Sequence, residues 1–335
     1  MSAEPLVTIG CAVYNGEETL ERALSSVVAQ DYANCEVLVS DDCSTDRSLA
    51  ICEAVARRDP RVRIIRNARN IGLHHNFNLL FREAKGKYFM WADQDDIREK
   101  TFVRKAVAAL EADPDAVVCH SYTGAFIGDP GDVKLIVTLE GVSGVASPVR
   151  RYLKFLRRYS DTVIYGLIRS DALRRTRLWR SDLGSANALL FELLLAGKFI
   201  HIPEVLYFYS GRGVRNRPSP KEEYGRMNLG RDMPRYYFPF LVLALNQTDG
   251  IRRSALGWFE KVVLIGALWI HVSVIALTKL VYRLLHRVSF GRLPAWLTEF
   301  CGSIVESRSH LIFLNNADRD ETLFPKAWAL KGIKG

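Results

Sequence analysis

KYFMWADQDD (87–96) is a short apolar run that stops abruptly at three aspartates within four positions. Such a run, bounded by turn signals, suits a strand buried on both faces of a parallel sheet. EVLVSDD (36–42) has the same form about fifty residues upstream, ending in Asp41-Asp42. LVTIGCAV (6–13), VRIIR (62–66) and AVVCH (116–120) are further runs of this kind. Helical patterns separate them. Leu20, Leu24, Val27 and Val28 share a face after Asn15, which with Glu18 reads as a capping box. Ser44 and Thr45 open a second helix carrying Leu49, Cys52 and Val55. A third covers 77–84, and Phe102, Val103, Ala106, Val107 and Leu110 mark a fourth. Strand alternating with helix predicts a parallel sheet with right-handed crossovers, and such sheets bind ligands at the carboxyl ends of their strands.

Both acidic clusters fall at those ends. Three carboxylates in four residues repel one another, and burying them uncompensated costs roughly several kcal/mol each. A hard divalent cation, Mn2+ or Mg2+, removes that cost and would also neutralise a diphosphate. A solvated turn capping the next helix is the alternative for each cluster taken singly. Their joint placement on one sheet weakens that alternative.

The remaining sequence changes character in stages. The stretch 121–145 is Gly-rich and reads as a loop over the site or a hairpin. Residues 149–199 read as mainly helical, and 202–209 as an edge strand starting at Pro203. A basic, Pro-containing loop follows at 212–220. From 256 to 288 the chain is apolar, with no Lys, Arg, Asp or Glu between 262 and 277. Three readings stand for this part: a soluble or dimer-forming helix, a helix lying on a membrane surface, or a span.

The net charge of +9 is concentrated in 150–217, which holds fourteen Lys and Arg against five Asp and Glu. A solvated basic face, a phosphate-rich substrate and an anionic membrane all fit. No nucleic-acid motif accompanies it, so nucleic acid is not expected as a partner. The six cysteines show no C-x-x-C spacing and read as reduced residues of a cytoplasmic protein. MSAEPLVTIG lacks the basic and apolar regions of a signal peptide. A nucleotidyltransferase or other phosphate-loop enzyme is disfavoured, because VTIGCAVYNGEE has neither glycine-rich phosphate motif.

Five blocks in order, AVYNGEETLERALSSVVAQ (12–30), EVLVSDDCSTDRS (36–48), RNARNIGLHHNFN (66–78), KGKYFMWADQDD (85–96) and PEVLYFY (203–209), resemble the family-two glycosyltransferases. The resemblance covers roughly 5–210. It implies an α/β GT-A fold, a Rossmann-like, mostly parallel sheet flanked by helices, here with a helical C-terminal extension. It divides the chain into a nucleotide-sugar-binding half (1–120), an acceptor-binding half (121–220) and a helical C-terminal region (221–335). It implies inverting transfer of a sugar from a UDP- or dTDP-linked donor to a saccharide or glycan acceptor. By position, Ala12 and Tyr14 would line the base, Asp42 would accept from it with support from Asp41, and Arg69 and Asn70 would close the pocket. Asp93, Gln94 and Asp95 form the D-x-D, with Asp95 the first metal ligand, Asp93 facing ribose or sugar, and Asp96 a second ligand candidate. His74 and His75 would be wall residues.

Two positions depart from the pattern. The resemblance implies an Asp or Glu general base at 186, counting back from Ala196-Gly197-Lys198, and the chain has Ala186. An alanine cannot accept a proton. Asp182 or, less well placed on the helix, Glu192 would have to serve. Otherwise the chain is a substituted, inactive form or a natural non-catalytic homologue that binds the nucleotide sugar. After PEVLYFY, where relatives carry a His, stands Ser210-Gly211-Arg212. Arg212, Arg215 or Arg217 would then meet the departing diphosphate. The basic middle and apolar tail suggest work at the inner membrane face, with a peripheral membrane contact or a homodimer contact through 256–288.

Overall fold

The structure, a computed structural model, describes residues 4–126, 133–137, 142–157, 161–210 and 239–288, together with 224 and 233. The apolar runs form strands β1 (Val7–Val13), β2 (Cys35–Asp41), β3 (Val62–Arg66) and β4 (Tyr88–Asp93). Every residue of β1 is buried, as an uninterrupted apolar run requires. These four strands are parallel in the order β3-β2-β1-β4. The chain therefore winds one way from β1 to β3 and then crosses back to β4. That reversal opens a crevice beyond the ends of β1 and β4.

The sheet continues through β8 (Leu167–Arg169), β6 (Ala116–Phe126), β9 (Lys198–Ser210) and β5 (Ile97–Arg98), and β7 (Val133–Val137) pairs with β6. β8 is antiparallel to both neighbours, whereas β6 and β9 are parallel. Alternation along β4 divides the core. Phe89 and Trp91 join the cluster on one face, and Tyr88, Met90 and Ala92 the cluster on the other. Helices α1 (Leu20–Val28), α2 (Ser48–Arg58) and α4 (Phe102–Ala112) cover the second face. α3 (Leu73–Arg82), α5 (Pro148–Arg157) and α7 (Ser185–Ala196) cover the first, and α6 (Ser170–Arg174) follows β8. α8 (Pro239–Arg253) and α9 (Trp258–Val288) pack beyond α7 and α5.

Several elements differ from the sequence reading for identifiable reasons. α1 starts after Thr19, not Asn15. Asn15 is instead left-handed (φ 48°), and its side-chain oxygen accepts from Thr45 N at 2.9 Å. α3 starts four residues early, at Leu73, because Gly72 (φ 86°) turns the chain into it. The 121–145 stretch contains the β6–β7 hairpin. Residues 149–199 are interrupted by β8, three residues long and too short to show a period. β9 is an inner strand, between β6 and β5. Its register against β6 jumps from Ser121↔Ile202 to Tyr122↔Val205, so Pro203 sits in a bulge where its missing N–H costs no ladder bond. The five described cysteines are all free, four of them buried. α9 is 31 residues long, and its Trp258–Thr278 stretch is the one described helix long and apolar enough to cross a bilayer.

Arg177 ties α7 to α8. Its Nε donates to Glu192 Oε1 at 2.7 Å, its main-chain N to Glu192 Oε2 at 2.9 Å, and its Nη1 to Asp249 Oδ2 at 2.5 Å. Arg177 and Glu192 are both largely buried. Glu192→Ala leaves the guanidinium without its inner partner, and is expected to lower unfolding free energy by about 3 kcal/mol in urea titrations. Replacing both partners by apolar residues should recover most of that loss.

Two buried histidines predict acid sensitivity. Burial, reinforced by His201, holds the His120 ring at about 3, and burial holds His74 at about 4. Both lie below the roughly 6.5 of an unfolded histidine. Their folded-state pKa is depressed, so the stability they allow is complete above about 6.5 and declines as pH falls below it. Each ring should remove about 1–2 kcal/mol between pH 7 and 5. Urea midpoints at the two pH values test this: His120→Leu should show a shallower decline than the parent, and an equal decline places the acid sensitivity elsewhere.

Candidate functional site

Strand register builds the site. Ala12 lies opposite Asp93 across β1–β4, and Val13 lies opposite Asp41 across β1–β2. The ends of three adjacent strands thus bring Ala12, Tyr14, Asp41, Asp42, Asp93 and Asp95 to one edge of the sheet. Two loops at this edge clasp each other. Gly16 N donates to Ser48 Oγ at 2.8 Å, Glu17 N to Asp46 Oδ2 at 3.0 Å, and Arg47 N to Glu17 Oε2 at 3.0 Å. Asn15, bound to Thr45, belongs to the same clasp.

Asp42 organises the 67–72 loop. Its Oδ1 accepts from Asn67 Nδ2 at 2.9 Å and Ile71 N at 2.8 Å, and its Oδ2 accepts from Gly72 N at 2.9 Å. Asn70 Oδ1 also accepts from Gly72 N, and Arg69 is exposed on this loop. Asp41 is 3% exposed; its Oδ2 accepts from Ser44 N, while Oδ1 is buried with no hydrogen-bond partner among the described residues. Of the two, Asp41 therefore keeps the wholly uncommitted oxygen. Asn67, Ile71 and Gly72 are site-shaping residues that residue chemistry alone did not single out.

Gln94 braces Tyr14. Its Oε1 accepts from Tyr14 N at 2.8 Å and its Nε2 donates to Tyr14 O at 3.1 Å, so the amide acts as one more strand rung. A side chain at Gly16 would come within 2.6 Å of the Gln94 amide and displace it from Tyr14. The Tyr14 ring is left exposed at the edge. A cleft of about 190 Å3 beside it is lined by Asn15, Gly16, Glu18, Thr19, Gln94 and Asp95.

The aspartates of 93–96 are not equivalent. Asp96 is buried, accepts from Ser210 N at 2.8 Å and from the Tyr207 hydroxyl, and so fastens this turn to the end of β9. Burial first, then Asp93 and Asp95, push its carboxyl well above the usual range. Burial, then Asp95, raises Asp93 to about 7, against a hydrogen bond from Tyr165 and the nearby Arg98. Arg98 is the buried counter-charge. Its guanidinium lies 3.8 Å from the Tyr207 ring centroid and donates to Tyr165 O at 2.5 Å. Its signal in the sequence is an arginine two residues beyond the acidic run.

Asp93 and Asp95 suit a divalent cation: one is desolvated and repelled by the other, which a dication would relieve. No three His, Cys, Asp or Glu side chains converge as a metal cage among the described residues. The protein would then supply one or two carboxylates, with phosphate and water oxygens completing the shell, as Mg2+ sites commonly do. Asp96, engaged by Tyr207 and Ser210, is the less available ligand.

Ala186 lies in the first turn of α7, partly buried against the core. Asp182, just before that helix, accepts from Arg180 Nε at 3.0 Å and Asn246 Nδ2 at 3.2 Å and remains partly accessible. Glu192 is held in the Arg177 pair on the α8 side. His74 stacks on Trp179 with centroids 5.2 Å apart, and His75 Nε2 lies 3.4 Å from Ser181 Oγ. Arg212, Arg215 and Arg217 lie outside the described residues.

Known proteins resemble this chain in sequence and in fold. The family profile described as Glycosyl transferase family 2 matches residues 8–179. An uncharacterized glycosyltransferase of Haemophilus influenzae is 35% identical over 118 residues, 35% of this chain and 36% of that protein. The succinoglycan biosynthesis protein ExoO of Rhizobium meliloti is 36% identical over 108 residues, 32% of this chain and 30% of its own length. The matched stretch thus spans about a third of the curated relatives' length. Among solved structures, S. aureus TarS 1–349 in complex with UDP superposes with a TM-score of 0.59 at 15% identity, covering 92% of this chain and 82% of that fragment. The mannosyltransferase PcManGT of Pyrobaculum calidifontis, solved with GDP-Man and Mn2+, gives 0.51 at 16% identity over 95% and 89%. A profile match over more than half of the chain, on a sheet that superposes with these structures, makes this chain a member of glycosyl transferase family 2 with the GT-A fold.

Proposed function

We propose that the chain binds a nucleoside-diphosphate sugar, UDP- or dTDP-linked, and transfers the sugar with inversion to a saccharide or glycan hydroxyl. The observation that carries this is the convergence of Asp41-Asp42 and Asp93/Asp95 on either side of the β1 end. Tyr14 offers an exposed ring to the base, and Asp41 an unshared buried acceptor beside it. Arg69 and Asn70 lie on the loop that Asp42 holds in place. Asp95, with Asp93, would hold Mn2+ or Mg2+, which neutralises the diphosphate as it leaves. TarS solved with UDP and PcManGT solved with GDP-Man and Mn2+ support a nucleotide sugar and a cation. ExoO, named for succinoglycan biosynthesis, supports a polysaccharide product, and the free cysteines support a cytoplasmic setting.

In this reaction the acceptor oxygen forms a bond to the anomeric carbon from the face opposite the diphosphate. The bond to the diphosphate oxygen breaks, and its electron pair leaves with the phosphate. The acceptor proton passes to a carboxylate. Asp182 is the partly accessible carboxylate nearest in sequence to the α7 start, and Arg180 and Asn246 orient it. Glu192 is the weaker candidate, being committed to Arg177.

Ala186 favours a second reading. A helix-start position suited to a base holds a methyl group, so the chain would bind the nucleotide sugar and transfer it slowly or not at all. Calorimetry with UDP, dTDP and their sugars, with and without Mn2+, tests the shared part. Binding should strengthen with Mn2+, and Asp95→Asn should weaken it at least about tenfold, or 1.4 kcal/mol; metal-independent binding sinks the cation role. Ala186→Asp should raise donor turnover by about a hundredfold or more if 186 is the missing base position. An unchanged rate, with Asp182→Asn abolishing it, assigns the proton to Asp182.

A further inference from the structure

α9 has two apolar faces with different surroundings. Leu264, Leu268 and Ile275 are buried; the first two lie in the core cluster that holds Tyr152 and Phe155 of α5. Trp269 Nε1 donates to Thr248 Oγ1 of α8 at 3.1 Å, fixing the helix's rotation. Among the described residues the other face is open. Trp258 is 78% exposed, Phe259 65%, Ile270 67% and Leu277 60%, with Val262 and Val263 between them. Their spacings of three, four and seven residues place them on one stripe. Adjacent pairs at 258–259 and 262–263 make it wider than the two-per-heptad seam of a helix dimer. No charged residue falls between 262 and 277.

Basic residues precede this stripe in the chain and enter its first turn. Arg252 and Arg253 are exposed at the end of α8, and Lys261 lies in the first turn of α9. The acidic groups nearby are engaged: Asp249 with Arg177, and Glu260 with Gly257 N at 3.0 Å. The sequence of the same helix continues with Lys279, Arg283 and Arg287. Aromatic residues at one end, an uncharged apolar middle and cationic flanks are what an in-plane membrane helix presents to anionic lipid.

We propose that α9 docks this protein flat on an anionic bilayer, with Phe259, Val262, Val263, Ile270 and Leu277 in the acyl boundary and Arg252 and Arg253 on the headgroups. The length of the helix also matches a bilayer crossing, at about 1.5 Å per residue over Trp258–Thr278. Its fixed inner face decides against that. A span would strip Leu264 and Leu268 from the core and break the Trp269 bond, whereas lying in the plane keeps them. The inference is independent of the sugar chemistry, since vesicle binding needs neither donor nor cation.

Flotation of the full chain with vesicles tests it. Vesicles of phosphatidylcholine with one third phosphatidylglycerol should carry the protein up, and pure phosphatidylcholine vesicles should carry much less. Phe259→Glu and Ile270→Glu, both on the open face, should each cut the bound fraction about tenfold at unchanged melting temperature. Arg252→Glu with Arg253→Glu should abolish the preference for anionic vesicles. Alkaline carbonate should release the bound protein; retention in the pellet would mean a span and overturn the proposal. So would absence of flotation, or Ile270→Glu variants that float normally while a dimer in solution falls to monomer.

Discussion

Mutual repulsion among carboxylates at the end of a buried strand is the constraint around which this molecule is arranged. Asp93 ends a buried apolar strand and Asp95 and Asp96 follow it, with Asp96 buried and the other two half-buried. Each neighbouring element supplies a partial answer. Arg98, buried under the turn, contributes one fixed positive charge. Tyr207 and the Ser210 amide, from the far end of β9, satisfy Asp96. Tyr165 reaches Asp93. Arg98 offsets part of the repulsion that burial and the neighbouring carboxylates impose on Asp93 and Asp96, and of the three aspartates Asp95 lines the cleft. The chemistry proposed for the site follows from this incomplete neutralisation.

The nucleotide side of the edge obeys a related rule: polar groups of the loops are satisfied by other loops. Asp42 gathers the amides of Ile71 and Gly72, and between the β1 and β2 loops Asn15 N donates to Ser44 Oγ while the Asn15 side-chain oxygen accepts from Thr45 N. Gln94 extends the pattern by acting as a rung for Tyr14. Three loops from distant parts of the sequence therefore form one rigid rim. Asp41 stands inside it with an oxygen that nothing in the described chain occupies, which in a buried position is a call for an external donor.

Beyond the sheet, the helices divide between closing the core and facing outward. α7 shows one burden: it must seal the sheet face, so eight of its twelve residues are buried, and its one acid, Glu192, is matched by Arg177. α9 seals the same cluster with one face only. The difference lies in the neighbours, since both helices are similarly apolar in sequence.

The sequence by itself determined the α/β class, the four parallel strands and the placing of both acidic clusters at strand ends. These rest on short-range signals, apolar runs and the turn residues that stop them, which do not need a partner to be read. Which carboxylate oxygen is committed was decided only by tertiary structure, because Asp42, Asp96 and Glu192 acquire their partners from residues 15 to 114 positions away. The same holds for β9, whose edge-like proline is absorbed by a bulge against β6, and for Asn15, drawn from a local cap to a bond with Thr45. Local pattern specifies elements because backbone geometry is local; the state of a polar group depends on what the fold brings within 3 Å of it, and no window of sequence contains that.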